Sequence, residues 1–388
     1  MCRSIRGFVL ILGVLFATAA QAQDDAQRAA IERLFRSPSI SSSWFTPEFI
    51  ATVPADKLAA LINDLERRHG QLREVARDGE GFMARLERAQ VPTRIALDSK
   101  GRIAGLRFEA AIPVGSLEDQ LNAIAKLPGQ TSALVMTAGK VRAAYRPELA
   151  LAVGSAAKLA IVKAVADAVA AGRLAWDLAV PLDEKWRSLP TGILQDWPAG
   201  TPVTVATLAS LMISISDNTA TDALVHLVGR ERIEALTPRN TPFLTTRELF
   251  VLKGKGNDVL RNEWRAADAA QRRKLLARIA EVKLPGAHEL DPMAVDIEWF
   301  LSAEEVCALL DATAALPAMA INPGLARKSD WRSVAFKGGS EPGVINYSTR
   351  LVAQDGTAHC VAATWNQPGL SEEKLTELYR AILSALRS

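Results

Sequence analysis

The chain has 388 residues, 49% of them hydrophobic, which is enough for more than one domain on a soft prior of ~150 residues each. Lysine and arginine total 46 against 43 aspartates and glutamates, and this near balance argues against a nucleic-acid partner held by charge. The 4 histidines (His69, His226, His288 and His359) stand in no H-E-x-x-H or C-x-x-C context, so no metal or organic cofactor is implied.

The N-terminus reads as a leader. Arg3 and Arg6 precede the apolar run Phe8 to Ala20, and Ala20-Gln21-Ala22 offers a small-x-small cleavage site. Residues 1–22 are therefore expected to be a signal peptide, the mature chain to start near Gln23, and the protein to be periplasmic or secreted. The apolar run is too short to span a bilayer and no other stretch reaches ~20 apolar residues, so no membrane span is expected after cleavage.

Residues 23–112 begin with helical patterns at Asp25–Phe35 and Ala55–Gly79. Strand-like runs follow at Thr93–Asp98 and Arg102–Ala111, joined by Ser99-Lys100-Gly101. Helices followed by a hairpin predict a small α+β module. No chemistry stands out within it.

Residues 113–388 form a second part. Ser116–Leu127 reads as a helix that Ser116 can cap. Thr131–Thr137 and Val141–Arg146 read as a hairpin about Gly139. A mostly helical middle follows, residues 331–366 return to strands, and Ser371–Leu386 closes with a helix. Strands from both ends flanking helices predict an α+β fold, one sheet built from N- and C-terminal pieces with an all-helical lobe beside it. His226 falls on an apolar helix and reads as structural. Cys307 lies in an expected helix and Cys360 in an expected strand. Two buried free thiols are the expectation, with pairing in an oxidising compartment as the alternative.

Three short strings lie in this part, in order. Ser155-Ala156-Ala157-Lys158 opens an almost wholly apolar helix, where positions i and i+3 share a face, so the Lys158 amine can reach the Ser155 hydroxyl. Packed among alanines and leucines, that amine is desolvated and can act as a base. Ser216-Asp217-Asn218 ends a second apolar helix. Lys337-Gly338-Gly339-Ser340 follows an alternating run, and its glycines let a ligand approach the backbone. A second S-x-x-K string, Ser371-Glu372-Glu373-Lys374, begins a charged amphipathic helix. There Ser371 reads as an N-cap and the glutamates as first-turn acids.

The order S-x-x-K, S-D-N, K-x-G resembles class A serine β-lactamases and penicillin-binding proteins. Leu174 to Leu224, with Pro198-Ala199-Gly200-Thr201 leading into the helix that ends at Ser216-Asp217-Asn218, is similar to that family, as is Tyr145-Arg146-Pro147-Glu148. The resemblance covers roughly residues 116–388. It implies a serine hydrolase acting through an acyl-serine on small-molecule β-lactam, amide or ester substrates. Ser155 would be the nucleophile, Lys158 its base, Ser216 a proton relay assisted by Lys337, and Asn218 the group that orients a substrate amide. Lys337 would meet a substrate carboxylate, and the Ser340 and Ser155 amides would form an oxyanion hole beside Gly339. The layout of residues 23–112 resembles the cystatin-like or NTF2-like domain that precedes the hydrolase domain in clavulanate-cluster serine hydrolases. Ile297 to Glu305 is also similar to those relatives.

The sequence departs from the family in two places. Gly338 stands where the family has threonine or serine, which removes one hydroxyl from carboxylate recognition. The interval from Ser216 to Lys337 is longer than expected and holds no E-x-x-L-N, whose glutamate holds the deacylating water in the family. Glu248 in Thr245-Thr246-Arg247-Glu248 is the nearest candidate base, but Thr245 and Glu248 also form a capping box, and that reading is favoured. Ser302 and Glu305 form another, leaving Glu298 unexplained. An esterase or peptidase on cell-wall or secondary-metabolite substrates, and a non-turnover β-lactam-binding sensor, both stay open.

Overall fold

A computed structural model describes residues 6–387, which divide into two compact units, one ending at Gly115 and one beginning at Ser116. The first five residues of the expected leader lie outside the described residues. The first helix, α1 (Arg6–Arg36), runs on through the expected cleavage point.

In the first unit, α1 is followed by α2 (Pro47–Thr52), capped by Thr46, and α3 (Ala55–His69). Helix α3 was expected to run to Gly79. It stops at His69 because Gly70 adopts φ +84°, a left-handed conformation that a β-carbon disfavours. The residues beyond it form a strand. β1 (Leu72–Asp78), β2 (Gly81–Leu86), β3 (Ala89–Leu97) and β4 (Ile103–Phe108) pair antiparallel in chain order, and β5 (Ile112–Pro113) also pairs with β3. Ile31 and Leu34 of α1, with Leu58 and Ile62 of α3, pack on Val75, Ala84, Val91 and Ile103 of the sheet. This is one apolar helix face on one sheet face.

In the second unit, α4 (Leu117–Ala125) is capped by Ser116 in a full capping box with Asp119. β6 (Gln130–Thr137) and β7 (Lys140–Tyr145) form the expected hairpin, with Gly139 at φ +75°. Two short pairs follow: β8 (Leu151–Ala152) with β11 (Phe300–Leu301), and β9 (Ala179–Pro181) with β10 (Pro202–Thr204). β12 (Ser333–Phe336), β13 (Gly339–Glu341), β14 (Val344–Val352) and β15 (Ala358–Asn366) complete the main sheet. Its order is β12-β14-β15-β6-β7, with β13 extending the β14 edge. Late strand β15 lies against early strand β6, with Trp365 opposite Thr131 and His359 opposite Thr137.

Alternation along β15 sends side chains to two faces. Val361, Ala363 and Trp365 meet Ile124 of α4 and Leu375, Tyr379 and Ile382 of α13 (Glu372–Ala385). Cys360 and Ala362 face the larger core, with α5 (Lys158–Ala170) and α12 (Ala303–Thr313). Helix α5 is buried on most sides, as its nearly unbroken apolar sequence requires. The helical lobe adds α6 (Val205–Ser214), α7 (Asn218–Val228), α8 (Arg230–Leu236), α9 (Thr246–Lys253), α10 (Asp258–Ala266) and α11 (Ala269–Ala280).

The two cysteines are not free thiols. Helix α12 packs on the sheet so that Cys307 and Cys360 lie 5.9 Å apart at Cα and form a disulfide. That separation is within the range a disulfide spans, and only the tertiary packing brings it about. Ser371 occupies the N-cap position of α13, but its side chain makes no capping bond.

Candidate active site

Val153 leads into a 3-10 turn, Gly154–Ala157, which feeds α5. A 3-10 turn has about three residues per turn, so Ser155 and Lys158 share one side. Ser155 is half-buried; Lys158, only 1% exposed, lies inside. The Lys158 amine makes no hydrogen bond to Ser155. Nζ bonds the Ser216 carbonyl at 2.7 Å, Ser216 Oγ at 3.0 Å and Asn218 Oδ1 at 2.7 Å. Burial pulls its pKa down from 10.5 to about 7, with Asp222, Asp217 and Glu341 opposing. A neutral amine has a lone pair, so the Ser216 hydroxyl can also donate to it.

Ser216 lies between α6 and α7 at φ +60°, a conformation uncommon for a residue with a β-carbon. The surrounding bonds hold it there. Thr191 Oγ1 donates to its carbonyl at 2.7 Å. Asp217 caps α7 through Ala220 N and also accepts from Ile193 N and Leu194 N at 2.7 and 3.0 Å. Asn218 was expected to orient a substrate amide, yet both ends of its own amide are engaged. Oδ1 accepts from Lys158, and Nδ2 donates to Leu189 O at 2.9 Å.

The third string crosses from β12 into β13. Lys337 is buried, and its Nζ reaches Ser216 Oγ at 3.2 Å and Gly338 O at 2.6 Å. Burial, and then the nearby Lys158 charge, hold its pKa well below the ordinary lysine value. The Ser216 hydroxyl thus sits between two buried amines. Gly339 runs hard against the nucleophile turn: a β-carbon there would collide with Val153 O and lie 2.6 Å from Ser155 N. A β-carbon on Gly154 would lie 3.5 Å from Ser340 N. The Ser155 and Ser340 amides therefore flank one close backbone approach. Ser155, Ser216, Lys337, Gly339 and Ser340 all line one cleft of about 310 Å³.

Glu248 lies elsewhere. It completes the Thr245 capping box, and both its oxygens bond Arg230, at 2.8 and 3.0 Å. It lines a different cleft, with His226 and Asp183. His226 stacks on Trp186. The Ser302–Glu305 capping box is also present. Glu298 is buried and paired with Lys253, which Glu341 of β13 approaches at 3.7 Å. Burial raises Glu298 to about 7 against the pull of Lys253. Among the described residues, no group of three or more His, Cys, Asp or Glu side chains is placed to hold a metal.

Sequence reasoning missed Asp222. This carboxylate accepts from Thr246 N at 2.6 Å and Arg247 N at 2.9 Å, anchoring the start of α9 behind Asn218. Burial raises it to about 7 despite those bonds. An acidic residue directly before the apolar run Ala223-Leu224-Val225 was the available signal. Glu372 was also missed. Read as a first-turn acid, it lies on the rim of the Ser155 cleft.

Residues 116–291 match the model of the β-lactamase enzyme family, Beta-lactamase2. Among solved structures, a β-lactamase from Sphaerobacter thermophilus is 20% identical, with 69% of this chain and 94% of that chain covered and a TM-score of 0.45. An ancestral class A β-lactamase is 17% identical, with 70% and 100% covered and a TM-score of 0.49. PBP-A is 16% identical, with 69% and 94% covered and a TM-score of 0.45. No curated protein matches the chain.

Proposed function

We propose that this protein is a periplasmic or secreted serine hydrolase that acts through an acyl-Ser155 intermediate. The observation that carries the reading is the Ser216 hydroxyl held between the Lys158 and Lys337 amines, at 3.0 and 3.2 Å, in the cleft that Ser155 lines. Ser155 Oγ attacks the substrate carbonyl as Lys158, neutral in a large fraction of molecules at pH 7, takes its proton. The developing oxyanion accepts hydrogen bonds from the Ser155 and Ser340 amides. The proton passes through Ser216 to the leaving nitrogen or oxygen, and water then releases the acyl group. Asn218 serves by fixing the Lys158 amine.

Substrates of the β-lactam, amide or ester class fit this cleft. Engagement of Glu248 with Arg230 favours slow release of β-lactam acyl groups, and so favours esters or amides as the substrates turned over. The same observation supports the second reading, a β-lactam sensor that acylates and stays acylated. The Cys307–Cys360 disulfide supports an oxidising compartment, and no described helix is long and apolar enough to cross a membrane. Helices packed on an antiparallel sheet in the first unit support the cystatin-like or NTF2-like assignment.

Labelling with a fluorophosphonate tests the nucleophile: one label on the peptide carrying Ser155, absent in Ser155→Ala. Label that persists in that variant defeats the assignment. A chromogenic cephalosporin and an aryl ester, run side by side, separate a β-lactamase from an esterase and from a sensor.

A further inference from the structure

We propose that Glu372 sets the leaving-group specificity of the Ser155 cleft, favouring leaving groups with a cationic ammonium and disfavouring those with a carboxylate. The inference rests on Ser155 as nucleophile and on Ser216 as the relay to the leaving group. The part of the cleft beside Ser216 and Lys337 is then where the leaving group lies.

Four features of the cleft work against an anion there. Gly338 supplies no hydroxyl, and there is no room for one: a β-carbon there would lie 2.9 Å from both Asn346 O and Phe336 Cζ. The Ser340 hydroxyl donates to Glu372 Oε1 and is not free for a substrate. The Lys337 amine is already bonded to Gly338 O and Ser216 Oγ. Finally, Glu372 puts a carboxylate on the rim, and among the described residues no lysine, arginine or histidine pairs with it. The depressed pKa of Lys337 further weakens the one lysine or arginine among the described residues that line the cleft.

The same features suit a cation. Phe336 and Tyr347 line the cleft with Glu372, which gives two aromatic rings and a carboxylate. Rings of this kind attract quaternary and primary ammonium groups, and an adjacent carboxylate adds direct charge pairing. Tyr347 Oη is bonded to Thr376 Oγ1 at 2.8 Å, which fixes the ring against α13.

The test uses three thioesters with one neutral acyl group and three leaving thiols: thiocholine, 2-mercaptoethanol and mercaptoacetate. Thiol release gives kcat/KM for each. The full chain should rank thiocholine first and mercaptoacetate last. Because Glu372 is exposed and screened, one charge should change each step by about five- to tenfold. Glu372→Gln should compress the thiocholine-to-mercaptoacetate ratio, and Glu372→Lys should invert it. A wild-type preference for mercaptoacetate, or a ratio unchanged in both variants, overturns the proposal. Fluorophosphonate labelling of Ser155 in the same samples reports separately on the hydrolase reading. Saturation-transfer NMR with choline and glycolate needs no turnover. Choline contact that is lost in Glu372→Gln supports the proposal even in a silent protein. Equal transfer from choline and glycolate overturns it.

Discussion

The lowered pKa of Lys158 makes a prediction that can be checked by two independent routes. A shift from 10.5 to about 7 means that burial, net of the opposing carboxylates, disfavours the ammonium by on the order of 5 kcal/mol relative to the unfolded chain. In kinetics, a neutral fluorophosphonate should label Ser155 at a rate set by the neutral fraction of Lys158. That fraction is roughly a tenth at pH 6 and nine-tenths at pH 8, so the rate should rise about tenfold per pH unit below 7 and level off above it. In stability, the sign follows from proton binding. Between about pH 7 and 10.5 the unfolded chain holds a proton that the folded chain lacks, so this group makes folding more favourable as pH rises across that window. Lys158→Met removes the titration and leaves Asn218 Oδ1 short of a donor at every pH, while Ser216 O keeps its bond from Thr191. The urea-derived stability of wild type minus variant should therefore climb by about 1.4 kcal/mol per pH unit from 7 to 9.5, with other groups cancelling. A labelling rate flat from pH 5.5 to 8.5, or one that rises only above pH 9, would refute the desolvated-base argument. A pH-independent stability difference would refute it as well.

Other outcomes follow from single contacts. Glu248→Gln should leave steady-state turnover of a cephalosporin unchanged and lower thermal stability by about 1–3 kcal/mol, because it breaks a mostly buried pair with Arg230 and weakens a cap; accumulation of acyl-enzyme in that variant would make Glu248 the deacylation base. Removing the disulfide with Cys360→Ala should cost about 2–5 kcal/mol, and reductant should lower the melting temperature of the wild type but not of the variant. Gly339→Ala should cut Ser155 labelling by at least ~10²-fold, since its β-carbon forces Val153 and Ser155 apart; labelling within threefold of wild type would contradict the close approach described above.

Much of the second unit was legible because its signals are local. The hairpin about Gly139, the Ser116 and Ser302 caps and the apolar α5 each follow from a few neighbouring residues. The three strings gave Ser155, Ser216 and Lys337, and the cleft brings them together. What the sequence hid depends on packing between distant segments. No spacing rule shows that α12 lies on β15, so the cysteine pair was misread. Lys158 was expected on Ser155 by helical spacing, but Ser216 and Asn218 offer three acceptors and take the amine. Glu372 looked like an ordinary first-turn acid because nothing local reveals that α13 begins beside Ser340. In the first unit, Gly70 was the overlooked signal, since the strand after it was absorbed into the helix before it.

The main sheet has a consequence for how the protein is made. Strand β15 inserts between β6 and β14, and Thr137 bonds His359 across a separation of 222 residues. At ~5–20 residues per second, a ribosome needs roughly 10–45 seconds to pass from β6 to the end of β15. Throughout that interval the apolar strand β6 has one pairing edge open, and for most of it Lys337 and Ser340 do not yet exist. The nascent chain therefore holds its serine and lysine without the strand that completes their surroundings. It is prone to mispairing until β15 has emerged. The central ladder of this sheet therefore closes late, only after β15 has been made.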